Sequence, residues 1–329
     1  MPEPLTIEPT VARLEVGDVE ELQFSVAPWQ LSMNQLSKGS LQASFDVVRA
    51  KNILLTREQW SKRVSAKGLS PAGFLALSAN FNGPEVSWCG SELSSERILY
   101  AYDAQEIDFV ALEDGDRWVM LLPMTLIENH IGRELRSVLP MDNKFIVTNP
   151  KHIQHLTSQV GITMAALQAC DGRPNDPALL DALETQLLNA ATRIILNNKA
   201  ETTDSHCATK RFLAFRDAQN LIESTKGVYS IDDLAKSTGV SRRSLEVGFG
   251  EGIKLSPLVF ARHVRLNRVH RELLYGRNGI INVTDTLQKN GFTELGRAAG
   301  YYKALFNESP CDTLRREPAG TNMRLQDAL

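Results

Sequence analysis

Two short stretches in the last third of the chain carry side chains that could grip and read a polyanion. In the first, residues 241–249 (S-R-R-S-L-E-V-G-F), Arg242, Arg243, Glu246 and Val247 fall on one side of a helix, while Leu245 and Phe249 stand one turn apart on the other. A guanidinium fork can hydrogen-bond a guanine edge and a carboxylate can accept from cytosine, so the outer side has the chemistry of base reading in a major groove. The second stretch runs from Thr293 through Glu294, Leu295, Gly296, Arg297, Gly300 and Lys303. Arg297 is its main long polar side chain for base edges, its glycines let the backbone approach a duplex, and Lys303 with a Thr293 cap suits phosphate. This half is expected to depend more on a thymine methyl and DNA shape than the first.

Such helices need positioning, and the flanking sequence supplies it. Leu234 and Ala235 form the inner face of a short helix from Ile231, Gly239 suits a turn with positive φ, Val240 plugs the corner, and Ser241 is an N-cap. A long helix over 257–275 follows and spans about 28 Å at 1.5 Å per residue. With part of a helix diameter at each end, it separates the two reading helices by about one DNA turn of 34 Å. Arg262, Arg265, Arg268 and Arg271 recur at steps of three on this helix and so spiral round it, at least one of them facing the protein. An Arg268–Glu272 pair at i,i+4 is expected.

The run L-A-K-S-T-G-V-S-R-R-S-L-E-V-G-F, then S-P, Arg265-Leu266 and Leu273-Leu274, resembles the DNA-binding region of the AraC/XylS transcriptional regulators. V-T-D-T-L-Q-K-N-G-F at 283–292 resembles that family's second turn, and Pro310 its closing proline. The spacing around Arg297 is reminiscent of the ethanolamine-operon regulators, and virulence or quorum-sensing regulators of pseudomonads form another subgroup it resembles. The chain departs from the family at Lys254 and Asn307, where glycine is usual, at Ala298, where an aromatic is usual, and at Tyr302, where phenylalanine is commoner. Asparagine tolerates left-handed backbone and lysine does so less well, so a different exit from the first reading helix is expected at Lys254.

Upstream, residues 41–47 alternate apolar and polar, and short runs at 52–55, 74–78, 85–88, 98–102, 107–112 and 118–122 follow between turn residues, as in a sandwich or barrel. The family resemblance implies a cupin-like β-barrel that binds an effector. Aromatic residues Trp29, Trp60, Trp88, Trp118, Phe45, Phe74, Phe81 and Phe109 give it an aromatic interior, of which one or two would line a pocket. Helical patterns begin at Met124 and between 152 and 169, and the strongest starts at the Asp176 cap before Pro177, with Leu180, Leu183, Leu187, Ala191 and Ile194 as its stripe. By resemblance, helices of this kind make a homodimer contact.

The expected class is therefore α+β, with an effector-binding and dimerisation domain over 1–196, a polar linker over 197–209 and an all-α DNA-binding domain over 210–329 holding two helix-turn-helix units. From Lys210 onward 19 Lys+Arg face 13 Asp+Glu, a balance of +6, whereas the whole chain is −3. Only the C-terminal part thus has the sign that DNA requires. The partners implied are double-stranded promoter DNA, a second copy of the chain, a small-molecule effector and RNA polymerase. No apolar run reaches membrane-span length, no signal region opens the chain, and Cys89, Cys170, Cys207 and Cys311 lack pair spacing, so a cytoplasmic protein without disulfides or zinc is expected. No cofactor, catalytic residue or metal site is expected. The six histidines all follow Met124, only His152 and His155 could share a helical face, and phosphate-loop, dinucleotide and nucleophile-elbow motifs are missing. The other readings are a sensor that sequesters a partner without binding DNA, and a cupin-type enzyme, which the histidine distribution argues against.

Overall fold

A computed structural model describes residues 11–26, 28–82, 87–88, 91–92, 96–140, 145–170, 176–198, 210–276 and 282–316. The chain begins with β1 (Val11–Val16), α1 (Val19–Ser25), β2 (Gln30–Gln35), β3 (Ala43–Ala50), β4 (Ile53–Trp60), β5 (Val64–Leu69) and β6 (Phe74–Asn82). It continues with β7 (Ser87–Trp88), β8 (Ser91–Glu92), β9 (Arg97–Tyr102), β10 (Glu106–Ala111), β11 (Gly115–Pro123), α2 (Met124–Ile131), β12 (Phe145–Val147), α3 (Pro150–Ala169) and α4 (Pro177–Leu196). Seven helices follow: α5 (Lys210–Ser224), α6 (Ile231–Thr238), α7 (Arg242–Ile253), α8 (Pro257–Tyr275), α9 (Val283–Lys289), α10 (Leu295–Phe306) and α11 (Pro310–Arg315). The class is α+β. The expected linker falls between α4 and α5, with residues 199–209 outside the described residues, as are those after 316.

The strands make two antiparallel sheets, ordered β1-β3-β4-β11-β6-β9-β12 and β2-β5-β10-β7-β8. Period-two alternation decides which residues meet between them: Phe45, Val47, Leu54, Leu99, Val119 and Leu121 from one sheet share a buried cluster with Met33, Val64, Ala66, Ile107 and Phe109 from the other. Among the described residues this is an open sandwich, which corrects the expected barrel. The reason lies at one edge: α1 intervenes between β1 and β2 and packs on both, so those neighbouring strands enter different sheets instead of pairing.

Outward-facing residues of the larger sheet, among them Val48, Leu55, Leu77, Tyr100, Trp118 and Met120, pack under α2, α3 and α4. The buried polar tips are satisfied: Tyr100 Oη donates to Pro140 O (2.5 Å), Tyr102 Oη to Leu139 O (2.8 Å), and Trp118 Nε1 to Thr157 Oγ1 (3.0 Å). The α4 stripe of Leu183, Leu187, Ala191 and Ile194 is spent in this core, so it is not a free dimer face. On the opposite side of the molecule, Leu36 and Val110 join Phe215, Leu245, Phe249, Phe260 and Val264 in a third cluster, which docks the C-terminal helices against the smaller sheet.

Candidate nucleic-acid interface and cavities

Capping fixes each short helix of the C-terminal part. Ser230 and Asp233 form a reciprocal capping box at the start of α6, Gly239 ends it with φ +66°, and the Ser241 side chain accepts from Ser244 N at the start of α7. Leu234, Leu245 and Phe249 are completely buried, which leaves Arg242, Arg243 and Glu246 exposed and Val247 at the surface. In the second pair, Asn282 caps α9, and Ala298, Tyr302, Leu305 and Phe306 turn α10 inward, with Gly296, Arg297, Gly300 and Lys303 exposed. The long helix between the pairs has the expected bounds.

Three expectations need correction. Thr293 is not the cap of α10: Glu294 holds that position without a side-chain cap bond, and its carboxylate instead meets Arg297 at 2.7 Å. Leu295 is half-buried and packs on the core, so it is only partly available to a partner. Lys254 does not change the exit from α7, because it adopts the left-handed conformation at φ 56° in spite of its Cβ, as Asn307 does at φ 60° after α10.

Charge is distributed unevenly over the outer faces. Arg242 makes a two-pronged pair with Asp232, whereas Arg243 has no ion-pair partner among the described residues. The α8 arginines are all engaged with the protein. Arg262 lies over the Tyr301 ring (4.1 Å), Arg265 over Phe292 (4.6 Å) while donating to Gly291 O (3.0 Å), and Arg271 donates to Glu20 (2.9 Å). Arg268 donates to the carbonyls of Ile222, Glu223 and Thr225 at the end of α5, and Glu272 pairs with Lys226 (3.5 Å) and Lys289 (3.3 Å). The expected Arg268–Glu272 pair is therefore absent, because the α5 carbonyls left open at a helix end attract the guanidinium more directly.

No local pattern of residues indicates how closely the two halves embrace. Asp18 accepts from His270 Nε2 (2.7 Å) and from Arg316, and His270 Nδ1 meets Tyr302 Oη (2.6 Å), which in turn meets Thr313 Oγ1 (2.7 Å). Burial pulls the Asp18 carboxyl upward, and the bonds and charges of His270 and Arg316 outweigh it and hold the group well below the usual range. Asp18, His270 and Glu308 are close enough to suggest a cation site, but Arg316 bridges the two carboxylates and supplies the positive charge. Of the two histidines that could share a helical face, His152 is bonded to Thr148 (3.2 Å) and His155 is exposed.

A second seam lies between the smaller sheet and α5. Arg216 pairs with Asp108 (3.0 Å), and Lys67 with Asn220 and, at 3.7 Å, Glu223. Burial, then the charge of Asp108, pushes Glu223 up to about 7, with Lys67 opposing. His263 on α8 is pushed down to about 4 by burial and Arg262, against a bond to Leu36 O (3.0 Å). Beside this seam a cleft of about 380 Å³ opens between Asn34, Lys67, Asn220, Glu223, Arg268 and Arg271.

Inside the sandwich is a cavity of about 30 Å³, walled by Trp29, Met33, Trp60, Leu99 and Phe109. Of the eight tryptophans and phenylalanines expected in the interior, Trp29, Trp60 and Phe109 line this cavity, and the Trp88 side chain lies outside the described residues. One buried ion pair faces it: Arg117 donates to Glu58 (2.7 Å) and lies over the rings of Trp60 (4.9 Å) and Phe109 (4.6 Å). Glu58 and Arg117 stand opposite one another in the β4–β11 register, so inward charges on two strands were the available signal. The space has room for about one or two waters, and an organic ligand requires the walls to move.

Comparison with known proteins agrees with this geometry. A helix-turn-helix domain model matches residues 234–316, from within α6 to just past α11. The chain is 31% identical over 128 residues to the XylDLEGF operon transcriptional activator 2 of Pseudomonas putida, 37% of this chain and 82% of that one. It is 31% identical over 227 residues to activator 3 of the same operon and organism, 68% of this chain and 66% of that one. A probable thc operon regulatory protein of Rhodococcus erythropolis is 35% identical over 89 residues, and the match spans only 27% of each chain.

Proposed function

Because the chain belongs to the AraC/XylS family of transcriptional regulators, we propose that it binds promoter DNA by placing α7 and α10 in successive major grooves, as two helix-turn-helix units. The observation that supports this most is the pair of exposed polar helix faces, Arg243 with Glu246 and Arg297 with Lys303, on helices that both pack against the 19-residue α8 of about 28 Å, α7 through Phe249 on Phe260 and α10 through Tyr302 and Phe306 on His270. Arg243 is the principal base-reading side chain. Arg242 stays with Asp232, or exchanges that carboxylate for a phosphate. Val247 and Leu295 supply apolar contact, Gly296 and Gly300 close backbone approach, and Thr293, Glu294 and Lys303 the surroundings of the phosphates.

Residues 1–196 act as a regulatory domain, 197–209 as a linker and 210–329 as the DNA-binding domain. A small-molecule effector enters the cavity at Glu58 and Arg117 and forces its walls apart. The homodimer forms on outward faces of the N-terminal helices, where Ile162 and Leu196 are exposed, and RNA polymerase is the partner on the promoter. Among the described residues no helix is long and apolar enough to cross a membrane. The test is selection of duplexes from a random pool by the full-length protein. Enrichment of two half-sites about 10 base pairs apart, lost in Arg243→Ala, is expected. A pool that stays random would favour a sensor that acts on a protein partner.

A further inference from the structure

We infer that residues 35–40 together with Arg63 clamp the two reading helices at a fixed separation, so that the N-terminal sandwich determines which half-site spacing the protein accepts. The inference rests on the DNA-binding reading above. A helix ends with carbonyls that lack partners within the helix. At the end of α7, Arg63 Nη1 donates to Ile253 O (3.1 Å) and more weakly to Lys254 O (3.5 Å). At the end of α10, Gly39 N donates to Ala304 O (3.1 Å) and Leu305 O (3.0 Å), and Gln35 Nε2 donates to Leu305 O (2.6 Å). Asn307 Nδ2 adds a bond to Ser40 Oγ (3.0 Å).

These two anchor points form a single unit. Leu36 N donates to Arg63 O (2.8 Å) and Arg63 N donates to Ser37 Oγ (2.9 Å). The same segment also grips the middle of α8: Gln35 N donates to Asn267 Oδ1 (2.9 Å), Asn267 Nδ2 donates back to Gln35 O (3.0 Å), and His263 bonds Leu36 O. One short stretch of chain thus holds α7, α8 and α10 at once. It holds the reading helices by their C-terminal ends, opposite the N-terminal ends that enter a groove, and leaves Arg243, Glu246, Arg297 and Lys303 uncovered. The docked arrangement is consequently compatible with DNA binding. A base pair inserted between half-sites moves the second one about 3.4 Å along the duplex and about 34° around it, which a clamped pair cannot follow.

The first measurement is affinity for the selected duplex with zero, one or two inserted base pairs. For the parent, one insertion is expected to cost about tenfold or more, within the range of a lost base-pair contact. Arg63→Ala and Gln35→Glu, which lacks the amide donor, should bind the original spacing several-fold more weakly and lose about threefold or less on insertion, with Arg63→Lys intermediate. Equal spacing dependence in parent and variants overturns the clamp. The second measurement needs no DNA: spin labels at Arg243→Cys and Lys303→Cys, with Cys89, Cys170, Cys207 and Cys311 replaced by serine. A narrow distance distribution that broadens in Arg63→Ala or Gln35→Glu supports the clamp, and an unchanged one overturns it. If either clamp variant fails to melt cooperatively, the other is read. If no duplex is ever enriched, the DNA-binding reading fails while the label distances still decide the clamp.

Discussion

The two helix pairs share a shape but draw their stability from different places. Around α6 and α7 the core is largely local: Phe249 meets Phe215 edge-on (4.9 Å) and Phe260 at 5.7 Å, and among the described residues only Leu36 and Val110 join this cluster from the sandwich. Packing there is tight enough that a Cβ at Gly252 would lie 2.6 Å from the Phe215 ring. Around α9 and α10, by contrast, Leu287, Phe292, Tyr302 and Phe306 belong to one continuous cluster with the interior of the sandwich. The buried chain from Asp18 through His270 and Tyr302 to Thr313 reinforces that link. The first pair therefore has the means to fold on its neighbours α5 and α8, whereas the second pair is built partly on the sandwich. A change in the sandwich should reach the second half-site first.

The largest test of this contrast is Phe249→Ala, expected to cost about 3–5 kcal/mol, with Leu245→Ala at about 2–5 kcal/mol. Amide exchange should show α6 and α7 opening while α10 keeps its protection, and simultaneous loss in both pairs would remove the asymmetry. Next, Asp18→Ala strands a buried His270 and part of Arg316, at about 3 kcal/mol. Its exchange pattern should be the reverse, with α10 and α11 losing protection and α7 keeping it.

Acidity provides a third and smaller handle, because two of the titrating groups at the seam, Glu223 and His263, have opposite signs. Glu223 is raised from 4.5 to about 7, so its contribution is complete below pH 4.5 and is lost as pH rises towards 7. His263 is lowered from 6.5 to about 4, so its contribution is complete above pH 6.5 and is lost as pH falls towards 4. Sharing of charge with Asp108 reduces the Glu223 effect to about 2 kcal/mol. Urea midpoints should peak between pH 5 and 6.5 and decline above it in the parent, and Glu223→Gln should abolish the alkaline decline. A parent profile that is flat from pH 5 to 8 would contradict the burial of Glu223. The smallest stability effect is that of Arg243→Ala, within about 0.5 kcal/mol in a melt, while DNA affinity falls by about 1–3 kcal/mol. In a single-base-pair series, losses of that size should concentrate in the half-site under α7; equal numbers in both would mean that α10 reads bases as richly as α7.

Where local rules decide the outcome, the sequence was informative. Proline at N1 marked the starts of α4, behind its Asp176 cap, and α8, alternation found β3, and a short run between turn residues found β11. It was weaker where polarity served another part of the molecule. Strand β2, Q-L-S-M-N-Q, is not among the expected strands: its Asn34 and Gln35 are buried against the C-terminal helices, so its polar residues do not alternate with exposure to water. Strand β5 and helix α1 escaped for a similar reason, each being short and mixed in polarity. Among the candidate site residues, the exposed face of α7 was legible from the burial of Leu245 and Phe249, but the loss of Arg242 to Asp232 was not. Gln35 and Asn267 meet across 232 positions, a contact no local pattern encodes, although polar His263, Asn267 and His270 on the otherwise apolar buried face of α8 were the available hint.

The 380 Å³ cleft beside α5 also defines a direction of opening. Its walls carry amide, hydroxyl, carboxyl, ammonium and guanidinium groups that water can solvate, beside Val264, whereas the far side of the same junction is built from a larger apolar cluster joined to the sandwich interior. If the two halves part, they should swing like a book, with the spine at the second helix pair and the free edge at Lys67 and Asn220. A crosslink between those two positions should then suppress the motion, and one placed between α1 and α8 should leave it unchanged.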